Sequence, residues 1–213
     1  RLLMHLLSPA KINLYLSIGP PDSTGYHPLV SEFQAIGLAD DVWLEVSKDG
    51  TDSLTSNWND LPVPNTITRT LGRLRELIDV PPLTIHLEKR IPTEAGLGGG
   101  SSNAAAVLRG VLHLLQTTLP WEQDFTVAAS VGADVPFFLV GGRALVEGYG
   151  ERVTPLPDQP ERTLLVVKPA IAGPTKALFA ALDAARPVAV WHQHSDGNDF
   201  ELVMPPECRA AIA

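Results

Sequence analysis

The chain has 213 residues, 45% hydrophobic and 19% charged, which is enough for one or two globular domains; no apolar run approaches the roughly 20 residues that a membrane-spanning helix needs. A formal net charge of −8 argues against a general nucleic-acid binder, yet it leaves room for a phosphate ligand held by backbone dipoles. The single cysteine, Cys208, excludes an intrachain disulfide and fits a reducing compartment, and no Cys/His group has zinc-like spacing: His192 and His194 in WHQH read as a polar loop.

The opening RLLMHLLSPAK is too short for a secretory signal and lacks a cleavage site, and Met4 reads as the natural start. In AKINLYLSI, Ile12, Leu14, Leu16 and Ile18 alternate with Lys11, Asn13, Tyr15 and Ser17. Period-two alternation predicts a strand with the first set on the core face and with Lys11 and Asn13 on one common side. By itself this describes a half-solvated strand. A turn-rich loop, GPPDSTGYHPL, follows, and its Tyr26-His27 pair reads as ordinary loop packing. SEFQAI and DVWLEV are strand-like, and 48–64 is predicted as a loop or short hairpin.

Asn65 or Thr66 caps a predicted helix whose Ile67, Leu71, Leu74 and Ile78 share a face, ended by Pro81-Pro82. LTIHLEKRI returns to strand alternation with Leu83, Ile85 and Leu87 inward. Then comes AGLGGGSSNAAAVLRGVLHLLQ. Ser101, Ser102 or Asn103 is predicted to cap a helix with Ala104, Val107, Leu108, Val111 and Leu115 as its apolar stripe. A further short helix stops at Gly132, an apolar run and a glycine pair follow, and RALVEGYGERVTPL reads as a strand and a turn. PLPDQPER is the expected domain boundary. Beyond it RTLLVVKP reads as a buried strand, TKALFAALDAAR as a helix with Leu178, Ala181, Leu182 and Ala185 on one face, and FELV as a last helical turn.

Strand, glycine loop and helix start, in that order, gather backbone N–H groups at the positive end of a helix dipole, and such a place binds phosphate. Glycine has no Cβ, so the main chain can approach an anion closely. The block is neither a Walker A loop nor the dinucleotide fingerprint, whose sixth position here is Ser101. A phosphoryl transferase also needs a group that places the acceptor hydroxyl and a cation that answers the moving charge. Asp134, before an apolar Val-Pro-Phe-Phe, and Lys11 are the candidates, although a turn or capping aspartate is the ordinary reading of Asp134.

SPAKINLYL, GYHPLVSEFQ, EKRIPTEAGLGGGSSNAAA and GADVPFFLVGGRALVEGYGE occur in this order, and together they resemble the GHMP kinases over nearly the whole chain. The resemblance implies an α/β (α+β) two-domain fold. Residues 1–156 would form a domain like the second domain of ribosomal protein S5, and 157–213 part of a ferredoxin-like domain. It implies Lys11 and Asp134 as the catalytic pair, with Asp134 the base. Lys89 and the run Pro92, Thr93, Glu94, Ala95, Gly96, Leu97, Gly98, Gly99, Gly100, Ser101 and Ser102 would hold ATP. Asn13, Tyr26, His27 and Phe179 would bind the acceptor, with the cytosine stacked between rings.

The member most resembled uses ATP and Mg²⁺ to phosphorylate the 2-hydroxyl of a cytidine diphosphate-linked erythritol in the non-mevalonate isoprenoid pathway. That implies a bacterial cytoplasm or a plastid stroma, a small-molecule partner, and no nucleic acid or membrane. No motif assigns a metal ligand. The family's Gly-Ser-Gly turn near the C-terminus does not occur before Ala213, so the second domain is expected to be incomplete, and LLQTTLPWEQ and PVAVWHQHSD are expected to be shortened connections. Another small alcohol as acceptor, or nucleotide binding without turnover, are the competing expectations.

Overall fold

The structure, a computed structural model, describes residues 3–168, 175–186, 191, 193 and 195–206. His192, His194 and Cys208 lie outside them. The elements run β1 (Met4–Ile18), β2 (Leu29–Val46), β3 (Ser53–Ser56), α1 (Thr66–Arg75), β4 (Leu83–Glu88), α2 (Gly99–Leu114), α3 (Trp121–Val131), α4 (Val135–Val140), β5 (Arg143–Gly148), β6 (Arg152–Leu156) and α5 (Thr175–Ala185), followed by a 3₁₀ turn (Asp199–Leu202).

The strands form one mixed six-stranded sheet. β2 is its spine. One edge pairs antiparallel with β1; the other pairs with β5 over its first part and with β4 over its last. β3 joins β4 in parallel, so α1 is the crossover that parallel pairing requires, and β6 completes a hairpin with β5. Helices α1 to α4 cover one face. Met4, Phe33, Val42, Leu44, Ile85 and Leu87 from the strands meet Leu71, Leu108, Val111 and Phe137 from the helices in a single core.

Two register shifts alter the simple alternation of β1. Pro9 pairs with Ala39 but Ala10 pairs with Ile36, so Gly37 and Leu38 are looped out of one continuous β2. Asn13 pairs with Phe33 and Tyr15 with Glu32, which leaves Leu14 as the extra residue of a bulge, 43% exposed. The expected core face therefore breaks up. Ile12 packs in a small cluster with Ala10, Ile91 and Leu97, whereas Leu16 and Ile18 pack with Leu182. Lys11, expected on the solvated side, is buried beneath the helices.

The run RTLLVVKP is not the buried strand expected. Over its described residues, 162–168, it has no regular structure, and Leu165 is 90% exposed. A buried strand needs ladder partners on its edges, and no strand pairs with this run among the described residues. On α5, Leu182 is buried and Phe179 half-buried, but Ala181 and Ala185 are exposed, because the helix meets β1 and the 3₁₀ turn through a narrow i, i+3 contact.

Candidate active site

β4 delivers the chain into the glycine loop, and α2 begins at Gly99, earlier than predicted. The N-cap is Gly98, with φ of 70° and no side-chain cap, in place of Ser101, Ser102 or Asn103. The packing explains the choice. A Cβ at 98 would lie 2.9 Å from the Phe138 ring and 3.0 Å from Cγ of Lys11, and the left-handed backbone disfavours any side chain.

The early start changes which amides are free. Ser102 N–H already donates to Gly98 O at 2.9 Å, so Gly99, Gly100 and Ser101 carry the first N–H groups without a helical acceptor. Residues Pro92 to Ser101 line an open cavity of about 480 Å³, whose far wall is Trp58, Leu61, Pro62 and Pro64, with Asn65, Thr66 and Arg69 from the start of α1. Ser102, expected among the ATP ligands, does not line it. Its side chain lies on the inward face of the first helical turn, and its hydroxyl is buried without a protein partner.

Lys89 reaches the same cavity, but its ammonium is paired with the fully buried Asp40 and lies 3.4 Å from Asn103 Oδ1. Asp40 also accepts from the amides of Arg90 at 2.7 Å and Ile91 at 2.8 Å and from Asn103 Nδ2 at 2.9 Å. Asn103 donates in turn to Ser8 Oγ at 2.8 Å. A buried charge is tolerable when it is paired and fully hydrogen-bonded. This network sets the corner between β4 and the loop. Sequence reasoning missed Asp40 and offered Asn103 only as a helix cap; the one signal was an Asp pair interrupting an otherwise apolar strand.

Lys11 and Asp134, 123 positions apart in the sequence, come together. Lys11 Nζ lies 3.5 Å from Asp134 Oδ2, donates to Asn13 Oδ1 at 2.8 Å, and sits 4.2 Å from the centre of the Phe33 ring. Asn13 Nδ2 donates to Ser31 Oγ at 2.8 Å, which fixes its amide. Lys11 N–H donates to Leu97 O at 2.9 Å, so the glycine loop is stapled to β1 beside the ammonium. Asp134 occupies the N-cap position of α4 but caps nothing with its side chain, and it stays about a third exposed at 32%. The ordinary capping role is thereby removed. Gly150, with φ of 112°, lies behind it: a Cβ there would fall 2.5 Å from Ala133 O.

The expected acceptor residues are less tightly grouped. His27 is nearly enclosed, with Nδ1 2.9 Å from Gly19 O and Nε2 3.4 Å from Asp183 Oδ2. Its ring stacks on Phe179 at 4.8 Å and 27°. Phe179 also meets Phe200 edge-on. Tyr26 is exposed and contacts Tyr149 edge-to-face at 6.2 Å. Among the described residues no group of three His, Cys, Asp or Glu side chains could hold a metal, and no helix is long and apolar enough to cross a membrane.

Comparison with known proteins adds the following. Residues 65–142 match the GHMP kinases N terminal domain. The chain is 37% identical over 186 residues to 4-diphosphocytidyl-2-C-methyl-D-erythritol kinase of Caldicellulosiruptor bescii, covering 86% of this chain and 65% of that protein. It is 37% identical over 203 residues to the enzyme of the same name from Dechloromonas aromatica, covering 92% and 74%. A crystal structure of 4-(cytidine 5'-diphospho)-2C-methyl-D-erythritol kinase superposes with a TM-score of 0.71 at 30% identity, over 97% of this chain and 78% of that one. The chain spans a little under two thirds of the length of the first of these relatives.

Proposed function

The chain belongs to the GHMP kinases, in the family of 4-diphosphocytidyl-2-C-methyl-D-erythritol kinases, and from that premise we propose that it transfers the γ-phosphoryl group of ATP to the 2-hydroxyl of 4-diphosphocytidyl-2-C-methyl-D-erythritol. The observation that carries this reading is the Lys11–Asp134 contact of 3.5 Å beside the glycine loop. A protein that only bound nucleotide would use the loop but would have no need of a carboxylate and an ammonium converging at its edge.

In this reading the triphosphate lies along the cavity lined by Pro92 to Ser101, against the amides of Gly99, Gly100 and Ser101. The adenine rests toward Trp58, Pro62 and Pro64. Lys89 acts beneath the loop through its pair with Asp40 more than as a free charge. Asp134 accepts the proton of the acceptor hydroxyl as the oxygen attacks, and Lys11, held by Asn13, orients that hydroxyl and answers the charge that develops on it. Tyr26, His27 and Phe179 serve the cytidine end of the acceptor.

Magnesium, when bound, neutralises charge on the phosphate oxygens. The Ser101 hydroxyl, on the wall of the cavity, would be an oxygen donor for such an ion, and a hard ion that keeps its phosphate and water ligands needs few from protein. Residues 1–156 would be the nucleotide and catalytic domain and 157–213 part of a second domain. The setting would be a bacterial cytoplasm or a plastid stroma.

A coupled assay of ADP release tests the substrate. The cytidyl acceptor is expected to support turnover, and mevalonate and homoserine are not. Equal turnover with either competitor sinks the substrate assignment. Asp134→Asn is expected to lower kcat at least ~100-fold, the scale of a general base, while ATP affinity by calorimetry changes less than about twofold. A variant that keeps most of its activity shows that the base is another group.

A further inference from the structure

The hairpin turn between β5 and β6 carries Tyr149, a residue to which the reaction above gives no part. Its hydroxyl donates to Asp22 Oδ2 at 2.6 Å, across 127 residues of chain. Asp22 is the hub of the loop that presents Tyr26. Its other oxygen, Oδ1, accepts from Thr24 N at 2.7 Å, Thr24 Oγ1 at 2.6 Å and Tyr26 N at 3.1 Å. Its backbone closes the same turn: Asp22 N donates to Tyr26 O at 2.8 Å, and Gly25 N donates to Asp22 O at 3.0 Å. The Tyr149 ring then meets the Tyr26 ring edge-on.

The turn holding Tyr149 is itself fixed. Tyr149 N donates to Glu151 Oε2 at 2.6 Å, and Gly150 abuts the carbonyl of Ala133, the residue before Asp134. One short turn therefore touches the acceptor-recognition loop through a side chain and, through its backbone, the residue before Asp134. Among the described residues the loop's other anchors lie at its base. Gly19 N donates to Pro28 O at 2.7 Å at its base, and His27 is held from below. The hydroxyls of Thr24 and Tyr149 keep the Asp22 carboxyl well below the usual carboxylate range, and the bond to Asp22 pushes the Tyr149 phenol up, so donor and acceptor keep these forms through the neutral range.

The geometry points to Tyr149 as a positioning residue for the acceptor: its hydrogen bond to Asp22 holds the Asp22–Tyr26 turn in place, so that Tyr26 is set for the base of a cytidine-bearing substrate. This rests on the proposed reaction for its substrate class, and the test separates the two. An ordered loop lowers the entropy that a ligand must otherwise supply on binding. Removing the hydroxyl should therefore act on acceptor binding and leave ATP binding alone.

Tyr149→Phe is compared with wild type in three measurements. Amide hydrogen exchange at Thr24 and Tyr26 is expected to quicken. Binding of CDP, by calorimetry, is expected to weaken roughly three- to tenfold, the scale of one ordinary net hydrogen bond, since the lost bond orders the loop and does not touch the ligand. KM for the cytidyl acceptor should rise by a similar factor, with KM for ATP changed less than about twofold. Asp22→Asn should show the same pattern, and the double variant should be no worse than Asp22→Asn alone, as coupled residues behave. Unchanged exchange overturns the strap. Faster exchange with unchanged CDP binding overturns its positioning role. Wild-type protein that binds CDP yet turns over no cytidyl acceptor sinks the proposed reaction instead, and the exchange and CDP arms still decide the strap.

Discussion

Gly98 is where local conformation and the geometry of the proposed site make the same demand. Its backbone is left-handed, and the space where a Cβ would project is already filled by Phe138 and by the stem of Lys11. Gly98→Ala would pay about 1 kcal/mol for the backbone alone. The overlap would add to that by pushing Lys11 off Asp134 or the loop off α2. The expected result is a loss of stability of roughly 2 kcal/mol in urea denaturation, with a fall in kcat of at least tenfold at saturating ATP. Normal kcat in a folded Gly98→Ala protein would show that Lys11 does not depend on this contact. Glycine at 98 was legible from composition, but the reason was not: the sequence suggests room for an anion, and the fold adds a phenyl ring and a lysine stem.

At the scale of elements, α1 is tied down at its end by charge. Arg75, in its last turn, forms a two-pronged contact with Asp52, with NH1 to Oδ2 at 2.5 Å and NH2 to Oδ1 at 2.8 Å, and Asp52 Oδ1 also accepts from Leu83 N at the start of β4. The Arg75 guanidinium, together with the Leu83 amide, holds the Asp52 carboxyl below its ordinary value of 3.8. A depressed carboxyl pKa means that the folded state binds the proton less readily than the unfolded chain. The contribution is therefore complete above pH 3.8 and is lost as pH falls through the depressed value. Both groups are a third or more exposed, so solvent screening limits the effect. Asp52→Ala is expected to cost about 1 kcal/mol from pH 5 to 7, with the gap to wild type closing under acid. A gap that persists undiminished at pH 2 would mean the loss comes from packing rather than charge. The helix itself was readable: of the two caps the sequence offered, Asn65 and Thr66, Asn65 takes the place, and the structure adds its reciprocal bond to Thr68. The Asp52 clasp was not, because it joins residues from three separate segments.

Across the whole molecule, the Asp199 carboxylate is one of the ties between the C-terminal segment and the sheet, beside Leu16 N to Gly197 O at 3.0 Å and Trp191 Nε1 to Ser17 Oγ at 2.9 Å. Asp199 Oδ2 accepts from Ile18 N at 2.6 Å, Oδ1 meets Arg186 NH2 at 2.5 Å, and Arg186 NH1 donates to Ile18 O at 3.1 Å. Around this polar knot Leu16, Ile18 and Leu182 form a third small core, with Phe179 and Phe200 against it. Truncating one partner of a buried pair leaves the other charge unanswered. Asp199→Ala is expected to lower stability by about 3 kcal/mol and, because Phe179 rides on the same cluster, to raise KM for the acceptor more than KM for ATP. Equal effects on both substrates would separate Phe179 from the acceptor site.

The amino-acid sequence by itself determined the α1 and α2 faces and the pairing of a glycine loop with a helix start, because these depend on local periodicity and backbone chemistry; it left α4 as an apolar run and made a strand of the stretch after β6. Lys11 and Asn13 were correctly placed on one side of a strand for the same reason. Only the tertiary structure decided that this side faces inward, since the slips at Pro9/Ala10 and Asn13/Tyr15 arise from pairing with β2 and have no local signature. It also decided that Asp40 answers Lys89, that Asp134 meets Lys11, and that the apolar run at 164–167 finds no ladder among the described residues. Such facts depend on which distant segments become neighbours, and a pattern read along one chain carries no record of that.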